Sequence, residues 1–164
     1  MAVSITPSIN MTAIETRSFD AATDATINHS GFNVSGTKYY ASSTAPVTVV
    51  SYQTYALVAG AKTIDLRALL DSVDVSTDCN GLKLQTLILI NPQGNSSLNM
   101  APGASNPYPI LGAANDITLP AATSGDMVIT LVLPEGCPDV SNTVKTIDFA
   151  GTGTESFKLG ICLG

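Results

Sequence analysis

Residues 82–90 read Leu-Lys-Leu-Gln-Thr-Leu-Ile-Leu-Ile. The first half alternates apolar and polar residues, the pattern of a strand with one face in a core and the other in water. From Leu87 onward the run is continuously apolar, which predicts a half-strand covered on both faces. Asn91-Pro-Gln-Gly-Asn95 follows, with proline placed to start a tight turn. A strand that ends in such a turn belongs to an antiparallel β fold, and the flanking sequence repeats the theme.

Toward the C-terminus, Ser97-Leu-Asn-Met-Ala101 is a short strand, and residues 102–109 form a long loop with three prolines. Asp116-Ile-Thr-Leu119 alternates and stops at Pro120. Asp126-Met-Val-Ile-Thr-Leu-Val-Leu133 reads as a buried strand that stops at Pro134, and residues 134–139 as a second rigid loop. Thr143-Val-Lys-Thr-Ile-Asp-Phe149 is a strand, and Gly151-Thr-Gly-Thr154 a hairpin-like turn. Residues 155–163 close the chain with Phe157, Leu159, Ile161 and Leu163 on one face. Toward the N-terminus, residues 47–58 are rich in β-branched and aromatic residues. Ala59-Gly60 is a turn and Lys62-Thr-Ile-Asp-Leu66 a strand. Leu66, Leu69 and Leu70 have helical spacing behind Asp65, which predicts a short helix over 65–72 capped by Asp65.

About eight short strands bounded by Gly and Pro predict an all-β chain, an antiparallel β-sandwich or jelly roll. Nothing alternates strand with helix as a parallel sheet requires, and no fixed-period repeat occurs. Residues 1–45 differ. Thr6-Pro-Ser-Ile-Asn-Met-Thr12 and Asp20-Ala-Ala-Thr-Asp-Ala-Thr26 are small and polar, and Asn28 to Tyr40 contains two glycines among turn formers. This predicts an extended arm (1–45) with two short strands, either mobile or ordered by a neighbouring surface, ahead of a sandwich domain (46–164).

The 164 residues suffice for one core without staples. Only 12% of them are charged, about half the usual share. Ser and Thr together supply 35. The net charge is -6. So few cations cannot neutralise many phosphates, which argues against nucleic-acid binding. No apolar run approaches a membrane span, and Met1 to Asn10 lacks the basic and apolar regions of a signal peptide. A soluble chain made in a cytoplasm is expected. Cys79, Cys137 and Cys162 are odd in number, widely spaced and free of C-x-x-C pairs, so free thiols are expected. Cys162 reads as a small core residue.

The chemistry-bearing residues form no catalytic set. His29 stands alone among Asn28, Ser30 and Gly31, which reads as loop chemistry. Asp71, Asp74 and Asp78 lack the tight spacing and glycine of a calcium loop, so capping and turn roles are expected. Gly151-Thr-Gly-Thr154 lacks the lysine and third glycine of a phosphate cradle. A chain with no Trp lacks the large aromatic platform common in sugar clefts. No catalytic residue, metal ligand or cofactor is expected.

Over 60–164 the chain resembles small β-rich virion proteins of tailed bacteriophages, especially capsid decoration (cement) proteins. The resembling stretches are Ala61-Lys-Thr-Ile-Asp-Leu66, Leu87-Ile-Leu-Ile-Asn-Pro-Gln-Gly-Asn95, Gly103-Ala-Ser-Asn-Pro-Tyr108 and Phe157-Lys-Leu-Gly-Ile-Cys-Leu-Gly164. The resemblance implies an oligomerising sandwich on an outer capsid shell and no catalytic residues. The expected function is a non-enzymatic phage structural protein: a homo-oligomer, with a trimer as the first expectation, bridging subunits of the major capsid protein. It would be assembled in the host cytoplasm and carried in the virion. Phe32, Tyr39, Tyr40 and Tyr108 are the expected interface residues. The alternatives are a self-assembling coat, fibre or tail component, and a carbohydrate-binding β-sandwich module.

Overall fold

The computed structural model describes residues 8–17 and 25–35 by their backbone, and 47–70, 75–112, 115–133 and 137–164 in full. Among these residues the structure is almost entirely β. Strands β1 (Ser8–Arg17) and β2 (Ala25–Ser35) form a two-stranded antiparallel hairpin. Then come β3 (Val49–Ala56), β4 (Ala61–Asp65), a 3₁₀ turn (Leu66–Ala68) and a two-residue ladder of β5 (Leu69–Leu70) with β6 (Ser76–Thr77). The rest are β7 (Leu84–Asn91), β8 (Leu98–Pro102), β9 (Ile117–Leu119), β10 (Met127–Val132), β11 (Thr146–Ala150) and β12 (Ser156–Leu163).

Eight strands build two four-stranded antiparallel sheets, in the orders β10-β7-β12-β3 and β4-β11-β8-β9. The pairings are nested. β3 pairs with β12, β4 with β11, β7 with β10 and β8 with β9, so the first of the eight meets the last and the two middle ones meet each other. A long antiparallel ribbon rolled on itself has this connectivity, and β7·β12 and β8·β11 complete the two sheets. The fold is a jelly roll.

The core lies between the sheets. Phe157, Leu159, Ile161 and Leu163 share a face, as their spacing predicted, and all are at most 1% exposed. Phe149 stacks on Phe157 with centroids 4.4 Å apart, and Leu87, Leu89, Met100 and Ile147 fill the same layer. Two turns interlock at one end. Gly60 donates its N–H to Gly153 O (2.7 Å) and accepts from Gly151 N (2.8 Å). Gly60 has φ +81°, and a Cβ there would stand 2.8 Å from Gly151 O. Both turns therefore need glycine where their backbones touch.

Four expectations are corrected. The helix over 65–72 is a single 3₁₀ turn. Asp65 does cap it, accepting from Arg67 N at 2.8 Å, but Leu69 is already extended and pairs with Thr77. Leu66 and Leu69 both enter the core, and that burial holds the next residues in the ladder. The turn-rich stretch from Asn28 is β2 up to Ser35, and His29 sits in that strand opposite Ala13 rather than in a loop. In β7 the burial is the reverse of the prediction. Leu84 to Leu87 are buried on both faces, whereas Ile88 and Ile90 are only half-buried. β10 is not a buried strand. It is an edge strand paired only with β7, and Val128 and Val132 are exposed.

Candidate assembly surface

The outer faces of the two sheets differ in chemistry. On β4-β11-β8-β9 the outward positions are mainly polar and satisfy one another. Thr63 Oγ1 donates to Asp148 Oδ1 (2.6 Å), and Asn99 Nδ2 donates to Asp116 Oδ2 (2.7 Å) and Thr118 Oγ1 (3.0 Å). Asp148 Oδ2 also accepts from the Ala104 N–H at 2.7 Å. This is an ordinary solvated sheet face.

The outward face of β10-β7-β12-β3 is more apolar. The register places Thr54, Lys158, Ile90 and Val128 in one row; Tyr52, Gly160, Ile88 and Thr130 in the next; and Val50, Cys162, Thr86 and Val132 in the third. Tyr52 is 52% exposed, Val128 56% and Val132 39%. The Tyr52 ring lies across Gly160, where a Cβ would come within 3.2 Å of it. A flat aromatic thus extends the apolar surface over the one position without a side chain. Toward β3, Cys162 and Val47 are buried in a small cluster with Val50. Exposed Tyr52, Val128 and Val132 make this face a candidate interaction surface.

The backbone register of the hairpin is also regular over its first half. The register pairs Ile9 with Val34 and Met11 with Phe32, and, alternating with these, Ser8 with Ser35 and Asn10 with Asn33. Successive residues of a strand lie on opposite faces. One face of this half of the ribbon therefore holds four apolar residues and the other four polar ones. The register shifts between Met11 and Ala13, and the pattern ends there.

The expected interface residues separate accordingly. Phe32 stands opposite Met11 in the hairpin register. Tyr39 and Tyr40 lie outside the described residues. Tyr108 is corrected: it is fully buried, not an interface contact. Its hydroxyl accepts from Leu84 N (3.0 Å) and donates to Pro138 O (2.7 Å), and burial raises its pKa. The proline-rich loop is what drives it inward. Tyr108 N and Gly103 N both donate to Thr146 O at 2.9 Å, so the loop is fastened to the start of β11. Sequence reasoning missed Ile88, Ile90, Val128 and Val132. Their signal was present as the unbroken apolar runs of β7 and β10, which were read as burial on both faces.

Several other polar groups have structural partners. Arg67 grips Asp78 through Nε (2.9 Å to Oδ1) and Nη2 (2.6 Å to Oδ2), and also bonds Asn142. The Arg67 hydrogen bonds are the main reason the Asp78 carboxyl falls to about 2. Asp78 also caps the turn at Asn80 (3.0 Å), a turn role as expected. Asp71 and Asp74 lie outside the described residues. Lys145 Nζ meets Asp65 Oδ2 at 2.7 Å. All three cysteines are buried and free, and burial pushes the thiols of Cys79 and Cys162 up to about 11. A concavity of about 240 Å³ between β3, β4 and the 3₁₀ turn is lined by Tyr55, Lys62, Asp65 and Leu69. It is smaller than typical ligand pockets, and its carboxylate is already committed to the cap and to Lys145. Among the described residues, no three His, Cys, Asp or Glu side chains converge as a metal site.

No family model and no curated protein matches the chain. A solved chain from work on Bacillus endospore appendages, described as a novel family of disulfide-linked pili, is similar at 12% identity with a TM-score of 0.39. The match covers 74% of this chain and 88% of that one. At that level the likeness carries no argument about function.

Proposed function

We propose that this chain is a non-catalytic structural subunit that works by assembling with other protein surfaces. The observation that carries this reading is the contrast between its two sheets. One outer face is polar and internally hydrogen-bonded, whereas the other presents Tyr52, Val128 and Val132 to solvent. A chain with only 12% charged residues has little else to recognise a partner with, and aromatic and aliphatic clusters are where interface energy concentrates. In its finer form the reading is a virion protein of the capsid-decoration kind. It would be a homo-oligomer, a trimer by first expectation, produced in the host cytoplasm and bound across neighbouring major capsid subunits. The support for that finer form is the sequence resemblance over 60–164.

Two measurements test it. Size exclusion with light scattering is expected to give a discrete species near three times 16.9 kDa. Purified phage head shells lacking decoration are expected to carry the protein down on sedimentation. A monomer that never sediments with shells would end the reading. Filaments or large particles formed by the protein alone would move it to a coat, fibre or tail subunit.

A further inference from the structure

A strand at the edge of a sheet offers a row of unpaired backbone groups, and proteins blunt such rows with shortness, charge, proline or a cover. Four strands bound the two sheets: β3, β4, β9 and β10. β3 is backed by β5, where Leu70 O accepts from Ser51 Oγ at 2.5 Å. β4 carries Lys62, and β9 has only three residues, between Asp116 and Pro120. β10 has none of these devices. Its six residues, Met127–Val132, include no charge and no proline, and they pair with β7 in unbroken register.

The direction of its free groups follows from one bond. Leu133 N donates to Gln85 O at 2.8 Å, so the backbone of Leu133 faces β7. Backbone groups of an antiparallel strand point alternately to its two sides, so those of Leu131, Ile129 and Met127 face β7 as well. The N–H and C=O groups of Val128, Thr130 and Val132 point to the open side, where no described residue pairs with them. About Thr130 the sequence is nearly a palindrome, Met127-Val-Ile-Thr-Leu-Val-Leu133. A two-fold axis at Thr130 would set Thr130 against its copy, Val128 against Val132 and Ile129 against Leu131. Outer positions then meet outer positions, and every outward backbone group of the strand finds a partner. An axis at Ile129 or Leu131 would leave Val132 or Val128 opposite residues beyond the strand. A chain of net charge -6 repels its own copy, and this uncharged edge sets no charge against its like. We propose that β10 of one copy pairs antiparallel with β10 of a second copy about a two-fold axis at Thr130, joining two four-stranded sheets into one. This rests on the assembly reading above and assigns it a self-complementary contact. A strand that pairs with its own copy makes the unit two chains, rather than the three first expected.

Light scattering of the intact chain is expected to give a species near twice 16.9 kDa. Full-length Thr130→Lys and Thr130→Glu each place like charges directly opposite one another, which destabilises an antiparallel pair. Each alone is expected to elute at half the mass of the intact species. Mixed in equal amounts they set Lys against Glu, and the two-chain species is expected to return, which also shows that both variants fold. Residue-resolved hydrogen exchange reads the register. The amides of Val128, Thr130 and Val132 are expected to exchange slowly in the intact chain and fast in Thr130→Lys. Those of Ile129 and Leu131, which face β7, are expected to stay slow in both. If the intact chain assembles, near three times 16.9 kDa or otherwise, but either charged variant keeps its mass, the mixture stays monomeric or the edge amides exchange freely, this pairing is wrong and the assembly reading stands. If the intact chain is monomeric at every concentration, the pairing is overturned, and sedimentation with head shells alone decides the assembly reading.

Discussion

Gly60 holds φ +81° while its backbone touches Gly151 from the opposite turn. An alanine there meets two costs. The left-handed conformation disfavours any Cβ by about 1–2 kcal/mol, and the new methyl would stand 2.8 Å from a carbonyl oxygen held by its own turn. Gly60→Ala is therefore expected to lower stability by at least about 2 kcal/mol, read as a drop in the urea midpoint at constant slope. Asp78 shows the same dependence on neighbours through charge. Its folded-state value of about 2 lies below the ordinary carboxylate value of about 4. The unfolded chain thus takes up this proton first. The stabilisation is complete above about pH 4 and is lost as pH falls toward 2. Asp78→Asn is expected to flatten that limb of the stability–pH curve and to change little at its acid end. Urea midpoints across pH 2 to 6 measure this, and a limb that stays as steep would show that other carboxylates dominate.

At the scale of elements, the proline-rich loop between β8 and β9 behaves as part of the core. Its anchor is the Tyr108 hydroxyl, which bonds Leu84 N at the start of β7 and Pro138 O in a second loop. Tyr108→Phe keeps the ring and strands both partners. The expected cost is about 1–3 kcal/mol, measured by denaturant unfolding. Phe157 joins the sheets in a different way. It stacks on Phe149 and also meets Tyr55 at 5.8 Å. Phe157→Ala is expected to cost about 3–5 kcal/mol, and a value near 1 would mean that the core collapses into the space.

For the whole molecule, the nested pairing means that no half of the sandwich stands alone. β12 lies between β3 and β7 and comes last in the chain, so its sheet closes only when the C-terminal residues return to the first strand. Folding dominated by such distant pairings is slow, in the millisecond-to-second range for small β domains, and unfolding should be one cooperative step. The three buried cysteines report on it. Their thiols are pushed upward by burial, so the thiolate is scarce at neutral pH. Alkylation at pH 7.5 is expected to be slow in native protein, and all three sites should accelerate together across the denaturant midpoint. Early labelling of one site would reveal a local opening.

Each of the eight sandwich strands was legible in sequence, from Val49 in β3 to Leu163 in β12. Period-two alternation and the Gly and Pro punctuation between strands are local properties, and antiparallel neighbours need only short turns. Asp65 as a cap was legible for the same reason. The sequence did not decide which apolar run faces water. In β7 and β10 an unbroken apolar stretch has the same local pattern whether a second layer covers it or not. Only the strand order places β10 at an edge and leaves Val128 and Val132 outside. Tyr108 is the converse case. A tyrosine in a polar, proline-rich loop looks exposed until Thr146, some forty residues away, accepts the loop's N–H groups and turns the ring inward. Local pattern determined the strands and the class of fold. Long-range pairing decided which surface is core and which is left in water, because burial depends on what other parts of the chain bring alongside.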